Sequence, residues 1–266
     1  MHTIEINFNN LDFWQEHIPN HVMALGFFDG LHKGHREVIK TAKEVAIAKQ
    51  LPMSVMSFFP HPKSVLSNGK EQVDYLMPLD EKKRVLESLG VDFFFIVEFN
   101  LLFASLSPQQ FVSDYLVNFG VVHAVCGFDY TYGYKGIGNT SRLREDSNFC
   151  IEVKEVQCVK FFGQKISSTA IRNSLNAGKL QEVQKLLGKP YEVKWHRYEG
   201  LLPQYTVPKP GVYFVTLESK CGSYSCNIKV LQNRELHITS NKLENCKLLT
   251  IRWHYKVEEE SCMATS

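Results

Sequence analysis

The chain has 266 residues, 44% of them hydrophobic, and 30 Lys and Arg against 28 Asp and Glu leave a net charge of +2. That is enough apolar material for one large domain and a small one, and the near balance of charge excludes a general affinity for nucleic acid or an anionic membrane. Any anion site must therefore be local. No apolar run approaches the roughly 20 residues of a membrane span, and the N-terminal stretch with Glu5, Asn7, Asn9 and Asn10 lacks the basic-then-apolar pattern of a secretion signal. A cytoplasmic protein is expected. The seven cysteines form no Cys-x-x-Cys pair, which argues against a disulfide framework or a four-cysteine zinc site. Cys221 to Cys226 reads as a hairpin turn with two incidental thiols.

Strand-like and helix-like runs alternate to about residue 187. Val22 to Leu25 is a short apolar strand, and Val38, Ala42, Val45 and Ala46 recur at helical spacing after it. Met53 to Phe59 is the next strand, ending in Pro60-His61-Pro62. Asp80 is placed to cap a helix that runs through Leu89 and stops at Gly90, and the apolar Val91 to Val97 reads as a strand covered on both faces. Ser107-Pro108 reads as N-cap and N1 of a helix to Phe119, closed by Gly120, with a strand from Val121 to Cys126 beyond it. Such alternation predicts a doubly wound, mainly parallel α/β sheet, whose ligands bind beyond the carboxyl ends of its strands. A small β domain is expected after it.

Three motifs fall in loops at those ends. The first is Gly26-Phe27-Phe28-Asp29-Gly30-Leu31-His32-Lys33-Gly34-His35, a glycine turn between a buried strand and a helix start. The unpaired N–H groups and positive dipole end of a helix stabilise a phosphate, Gly30 and Gly34 permit close backbone approach, and His32 and His35 fall on one face of the first turn as donors. The second is Gly127 to Gly138, with Asp129 as a carboxylate and Tyr130 and Tyr132 either as flat faces for a planar ligand or as core side chains. The third is Ile166-Ser167-Ser168-Thr169-Ala170-Ile171-Arg172, where Ser168 or Thr169 caps a helix to Ala177 and Arg172 follows one turn later.

The pairing of G-x-F-D-G-x-H-x-G-H with I-S-S-T-x-x-R resembles the nucleotidylyltransferase superfamily. With Phe58 to Pro62 and Gly127 to Gly133, residues 15 to 190 resemble the bacterial bifunctional riboflavin kinase/FMN adenylyltransferase, or FAD synthetase, family. The resemblance implies AMP transfer from Mg-ATP to FMN, giving FAD and pyrophosphate. It implies His32, His35 and Arg172 as the catalytic set. Gly26, Phe28, Asp29, Gly30, Gly34, Ser168 and Thr169 would bind ATP, and Pro60, His61, Pro62, Asp129, Tyr130 and Tyr132 the flavin. Mg²⁺ would come with ATP, since the sequence shows no dedicated metal cage. Phe27 and Phe59 depart from the pattern, standing where polar and acidic residues are usual.

Domains are expected at 1–187 and 188–266. Gly188 to Tyr191 and Pro208 to Val215 resemble the family's kinase module, but Glu192 to Val207 contains no G-R-x-L-G-F-P-T-A-N segment, and Thr239-Ser240-Asn241 replaces the E-V-H run. The tail is thus read as a β-barrel-like domain that has lost the kinase site. Transfer to another phosphorylated acceptor, or a catalytically decayed flavin-binding regulatory protein, are the competing readings.

Overall fold

The structure is a computed structural model that describes residues 1–201, 205–220, 222–238 and 247–257. Two compact units divide the chain, Met1–Val73 with Leu79–Lys160 and Asp74–Pro78 with Phe161–Ser266. The division expected at 187/188 falls inside the second unit, because the two helices before Gly188 group with the residues that follow them.

The first unit runs β1 (His2–Ile6), α1 (Leu11–His17), β2 (His21–Leu25), α2 (Lys33–Lys49), β3 (Met53–Phe59), α3 (Pro62–Leu66), α4 (Leu79–Ser88), β4 (Phe93–Glu98), α5 (Leu101–Ala104), α6 (Pro108–Val112), β5 (Val121–Gly127), β6 (Thr131–Tyr132), β7 (Gly138–Asn139), α7 (Thr140–Asp146) and β8 (Glu152–Val156). Its sheet is parallel, in the order β1-β4-β3-β2-β5-β8. Every residue of β2 is buried, as a central parallel strand covered on both faces must be. α2 lays Val38, Ile39, Ala42 and Ala46 on one face of the sheet. A core of Met23, Leu25, Met56, Phe95, Phe111, Tyr115, Leu116 and Phe119 fills the other. The chain leaves β2 toward β3 and β4, then returns to β2's other side at β5. That reversal is the topological switch point where open α/β sheets hold ligands, and the histidine motif follows β2 directly.

The structure corrects several local expectations. β1 and α1 were not read from the sequence at all. Asp80 lies inside the first turn of α4 instead of capping it, because the helix begins at Leu79. Ser107 does cap α6, in a reciprocal capping box with Gln110, but the helix loosens into a π-turn at Ser113–Val117 before Gly120 at φ +78° ends it.

β9 (Lys160–Phe161) begins on the last residue of the first unit, and β10 (Gln164–Lys165), α8 (Ser168–Asn176) and α9 (Leu180–Leu187) follow in the second. β11 (Tyr191–His196), β12 (Gly200–Leu201), β13 (Gly211–Ser219), β14 (Gly222–Val230), β15 (Leu236–His237) and β16 (Leu248–Lys256) then form an antiparallel, barrel-like sheet ordered β12-β11-β16-β13-β14-β15. Alternation in β13 buries Tyr213, Val215 and Leu217 against Leu249, Ile251 and Trp253 of β16. Cys226 lies within β14, past the hairpin turn at Ser219 and Gly222, and Cys221 is outside the described residues. The residues from Glu192 to Leu201 form the β11–β12 hairpin, while Thr239-Ser240-Asn241 also lies outside the described residues.

Candidate active site

β2 ends at Leu25 and the chain turns at once through a left-handed run. Phe28 has φ +53°, Gly30 φ +77° and Leu31 φ +42°. A Cβ on Gly26 would meet the Phe28 ring at 3.0 Å, so glycine there lets that ring fold underneath. Phe28, Asp29, Gly30 and Leu31 are all buried. Bulky residues held in this conformation cost of order 1–3 kcal/mol each, and such strain concentrates where a site needs it.

The strained turn delivers His32 to the N-cap of α2 and His35 to its first turn. Their rings stack with centroids 3.6 Å apart and planes 18° apart, and the edge of Phe28 supports His35 from 5.3 Å. The backbone N–H of His35 donates to His32 Nδ1 at 3.3 Å. With Nδ1 accepting, a neutral His32 carries its proton on Nε2 and donates from there. Burial, the neighbouring His32 and the charge of Lys82 hold the His35 pKa well below the usual imidazole value. His35 Nδ1 is buried with no hydrogen-bond partner. Gly34 lies between them in the first helical turn. Two imidazoles, that of His35 held neutral by burial, beside the N–H groups of a helix start make a donor array for an anion.

Two residues around this turn, Lys82 and Ser57, escaped the sequence reading. Lys82 of α4 is buried and donates from Nζ to the Phe27 carbonyl at 2.9 Å and to Ser57 Oγ at 3.2 Å. Ser57 Oγ donates to that same carbonyl at 2.8 Å. The Phe27 ring lies under the ammonium at 5.0 Å and packs edge-on to His61 at 4.5 Å. The available signal was the placement of Lys82 between Leu79 and Leu86, in the apolar stripe of an otherwise amphipathic helix. His61 caps α3 by accepting the Lys63 N–H, with Pro60 before it and Pro62 at N1.

The loop after β5 is half scaffold. Tyr132 is a core side chain, packed against Phe111, and its hydroxyl donates to Asp146 at 2.7 Å. Tyr130 packs against the same core at its edge, and its hydroxyl is buried with no partner, which raises its pKa well above the usual phenol value. Gly133, at φ +71°, leaves no room for a side chain, since a Cβ would stand 2.7 Å from Pro108 N. Asp129 is exposed and turns Oδ1 back over Gly127.

In the second unit the cap of α8 is Ser167, which accepts the Ala170 N–H at 3.2 Å, and this corrects the choice of Ser168 or Thr169. Those two hydroxyls occupy the first helical turn instead. Arg172 is half-buried and donates to the Asp74 carbonyl from Nε at 3.4 Å and from a terminal nitrogen at 3.3 Å. Among the described residues no three His, Cys, Asp or Glu side chains come together as metal ligands.

A parallel α/β sheet with an anion-handling helix start at its switch point defines a nucleotide-handling enzyme of the nucleotidyltransferase class. The FAD synthetase family model matches residues 14–170, and the chain belongs to that family. It is 44% identical over 211 residues to the bifunctional riboflavin kinase/FMN adenylyltransferase of Listeria monocytogenes, covering 74% of this chain and 67% of that one. A protein of the same organism named FAD synthetase alone is 32% identical over 196 residues, covering 72% of this chain and 79% of that one. The fold matches a crystal structure described as a macrolide-efflux protein from Streptococcus pneumoniae, with a TM-score of 0.82, 28% identity and coverage of 97% and 100%. Among the described residues of the present chain, no helix is long and apolar enough to cross a membrane.

Proposed function

We propose that this protein is an FMN adenylyltransferase that transfers AMP from Mg-ATP to FMN and has no riboflavin kinase activity. The observation that carries the reading is the stacked His32–His35 pair at the start of α2, beyond the carboxyl end of β2.

In this reaction an FMN phosphate oxygen attacks the α-phosphorus of ATP, the bond from that phosphorus to the bridging oxygen breaks, and pyrophosphate leaves with the electron pair. No covalent intermediate forms, so positioning and electrostatic stabilisation supply the rate. His32 Nε2–H and the α2 N–H groups donate to phosphate oxygens, and His35, held neutral by burial, donates from its one protonated ring nitrogen. Mg²⁺ would enter with ATP as part of the substrate and would supply charge neutralisation at the leaving pyrophosphate. The family resemblance gives Ser168, Thr169 and Arg172 a role on the polyphosphate. It gives Asp129, Tyr130 and the Pro60-His61-Pro62 segment a role on the flavin. The partnerless Tyr130 hydroxyl supports the latter, because a buried donor left unmade costs about 1–3 kcal/mol. A cytoplasmic location follows from the need for ATP.

Two observations support the loss of kinase activity. The β11–β12 hairpin occupies residues where the bifunctional family has its P-T-A-N segment, and one relative is named for FAD synthesis alone. Incubating purified protein with Mg-ATP and either FMN or riboflavin, then separating the flavins, tests both parts. FAD is expected from FMN, and neither FMN nor FAD from riboflavin. No FAD from FMN refutes the transferase reading, and FMN from riboflavin refutes the loss of the kinase.

A further inference from the structure

Lys82 is 3% exposed, and the chemistry above gives it no contact with substrate. An ammonium carried into a protein interior costs several kcal/mol unless it is partnered, so its partners show what it is for. They converge on one atom. The Phe27 carbonyl accepts from Lys82 Nζ and from Ser57 Oγ, and Ser57 Oγ also accepts from Lys82. Phe27 is the last residue before the left-handed run of Phe28, Gly30 and Leu31, and that run ends at the His32 cap. Strained conformations persist only where their surroundings hold both ends. The Lys82–Ser57 pair holds the first end, and the His35 N–H to His32 Nδ1 bond holds the second.

The ammonium also sets the charge balance. Asp29 on the turn is its opposite charge, while His32 and His35 at the start of α2, and His61 beyond β3, are the imidazoles around the Phe27 turn. A positive charge here opposes protonation of His35, and it acts together with burial and His32.

Resting on the adenylyltransferase reading, we propose that Lys82 is a positioning residue for the transfer: its ammonium anchors the Phe27 carbonyl from which the strained turn presents His32 and His35. Burial brings the pKa of Lys82 itself down to about 8 against the opposing pull of Asp29. The anchor therefore loses its charge in mildly alkaline solution, and kcat should fall there.

The test uses the full chain with Lys82→Met, Lys82→Arg and Ser57→Ala. It reads the His35 imidazole by NMR pH titration without substrates, and kcat and KM from pH 6 to 9. Lys82→Met should raise the titration point of His35, while burial and His32 still hold it below the usual imidazole value. It should lower kcat by roughly 10- to 100-fold, with KM for ATP and FMN within about twofold. Lys82→Arg should restore the low titration of His35 and part of kcat. Ser57→Ala should lower kcat by roughly 3- to 10-fold and leave the His35 titration in place, since it removes an anchor and no charge. A merely structural lysine would move stability and neither the titration nor the alkaline limb. An unmoved His35 titration in folded Lys82→Met, or unchanged kcat in both Lys82→Met and Ser57→Ala, overturns the proposal. Should Lys82→Met not fold, unchanged kcat in Ser57→Ala together with a flat wild-type profile through pH 8 overturns it equally. If the wild type makes no FAD, the titration still decides what Lys82 does to His35, and only the assignment of the reaction has failed.

Discussion

His21, at the opposite end of β2 from the histidine motif, should cost the first unit stability in mild acid. His21 opens β2 and is 0% exposed. Its Nδ1 lies 2.8 Å from the Pro19 carbonyl and so carries the proton of the neutral ring, while Nε2 is buried without a partner. Protonating Nε2 would put a charge where no acceptor exists, and burial accordingly lowers the pKa from 6.5 to about 4 against the raising effect of Pro19. Between those values the unfolded chain binds a proton that the folded unit refuses, so stability falls as pH falls through that window. The loss is about 2 kcal/mol by pH 5 and approaches about 3 kcal/mol below pH 4. His35 and His123, both lowered chiefly by burial, push in the same direction, so wild type must be compared with His21→Leu, which cannot titrate at this site. Urea unfolding followed through NMR signals of the first unit at pH 7, 6 and 5 gives the comparison. His21→Leu should be the less stable protein at pH 7, having left the Pro19 carbonyl unpaired, and the gap should close by about 2 kcal/mol by pH 5. A gap constant to within about 0.5 kcal/mol over that range refutes the argument.

Three further outcomes are expected. His32→Ala and His35→Ala should each lower kcat by on the order of 100-fold with the fold retained, as circular dichroism and steady-state kinetics would show; wild-type turnover in a folded His35→Ala protein contradicts the assignment of the site. Arg172→Lys keeps the charge but loses the planar fork, so KM for ATP should rise while the thermal midpoint stays near wild type; unchanged kinetics in both Arg172→Lys and Arg172→Ala would leave the residue a structural role, such as its bond to the Asp74 carbonyl. Gly133→Ala should destabilise the first unit by about 2 kcal/mol or more in urea titrations, because the new Cβ would stand 2.7 Å from Pro108 N at a φ of +71°, and a cost below about 0.5 kcal/mol would mean that the loop moves aside freely.

The parts of this protein legible in its sequence are those governed by short-range rules. β3 was read with its observed bounds, because a β-prone run closed by Pro60 permits little else, and Ser107-Pro108 announced α6 through cap chemistry that depends only on neighbours. The alternation that predicts a parallel sheet is equally local, and the sheet is indeed parallel. β1 was missed because His2–Ile6 alternates polar and apolar residues at an edge, where pairing with β4 makes the strand and its own composition does not. In the site, the two histidines were legible from spacing. Their support was not, since Ser57 and Lys82 are separated from Phe27 by 30 and 55 residues and meet it only through the fold. Tyr132 shows the same limit in reverse, for only the packed structure reveals that Asp146 takes its hydroxyl.

Phe27 connects the family pattern to the physics of the turn. A polar side chain is usual at this position in the family the sequence resembles, and the substitution removes a hydrogen-bonding group beside the histidine motif. The anchor for Lys82 is nevertheless the main-chain carbonyl, which every residue provides. A phenyl ring offers the ammonium an attractive face at 5.0 Å without claiming any of its three N–H groups, so two remain committed to Phe27 and Ser57. Its edge-on contact with His61 meanwhile ties the loop after β2 to the one after β3. The departure thus alters the wall of the site and preserves the tether beneath it, and effects on substrate affinity and on the chemical step should separate at this residue. A carbonyl anchored from α4 and β3 tolerates a change of side chain in the loop after β2 that a side-chain anchor would not.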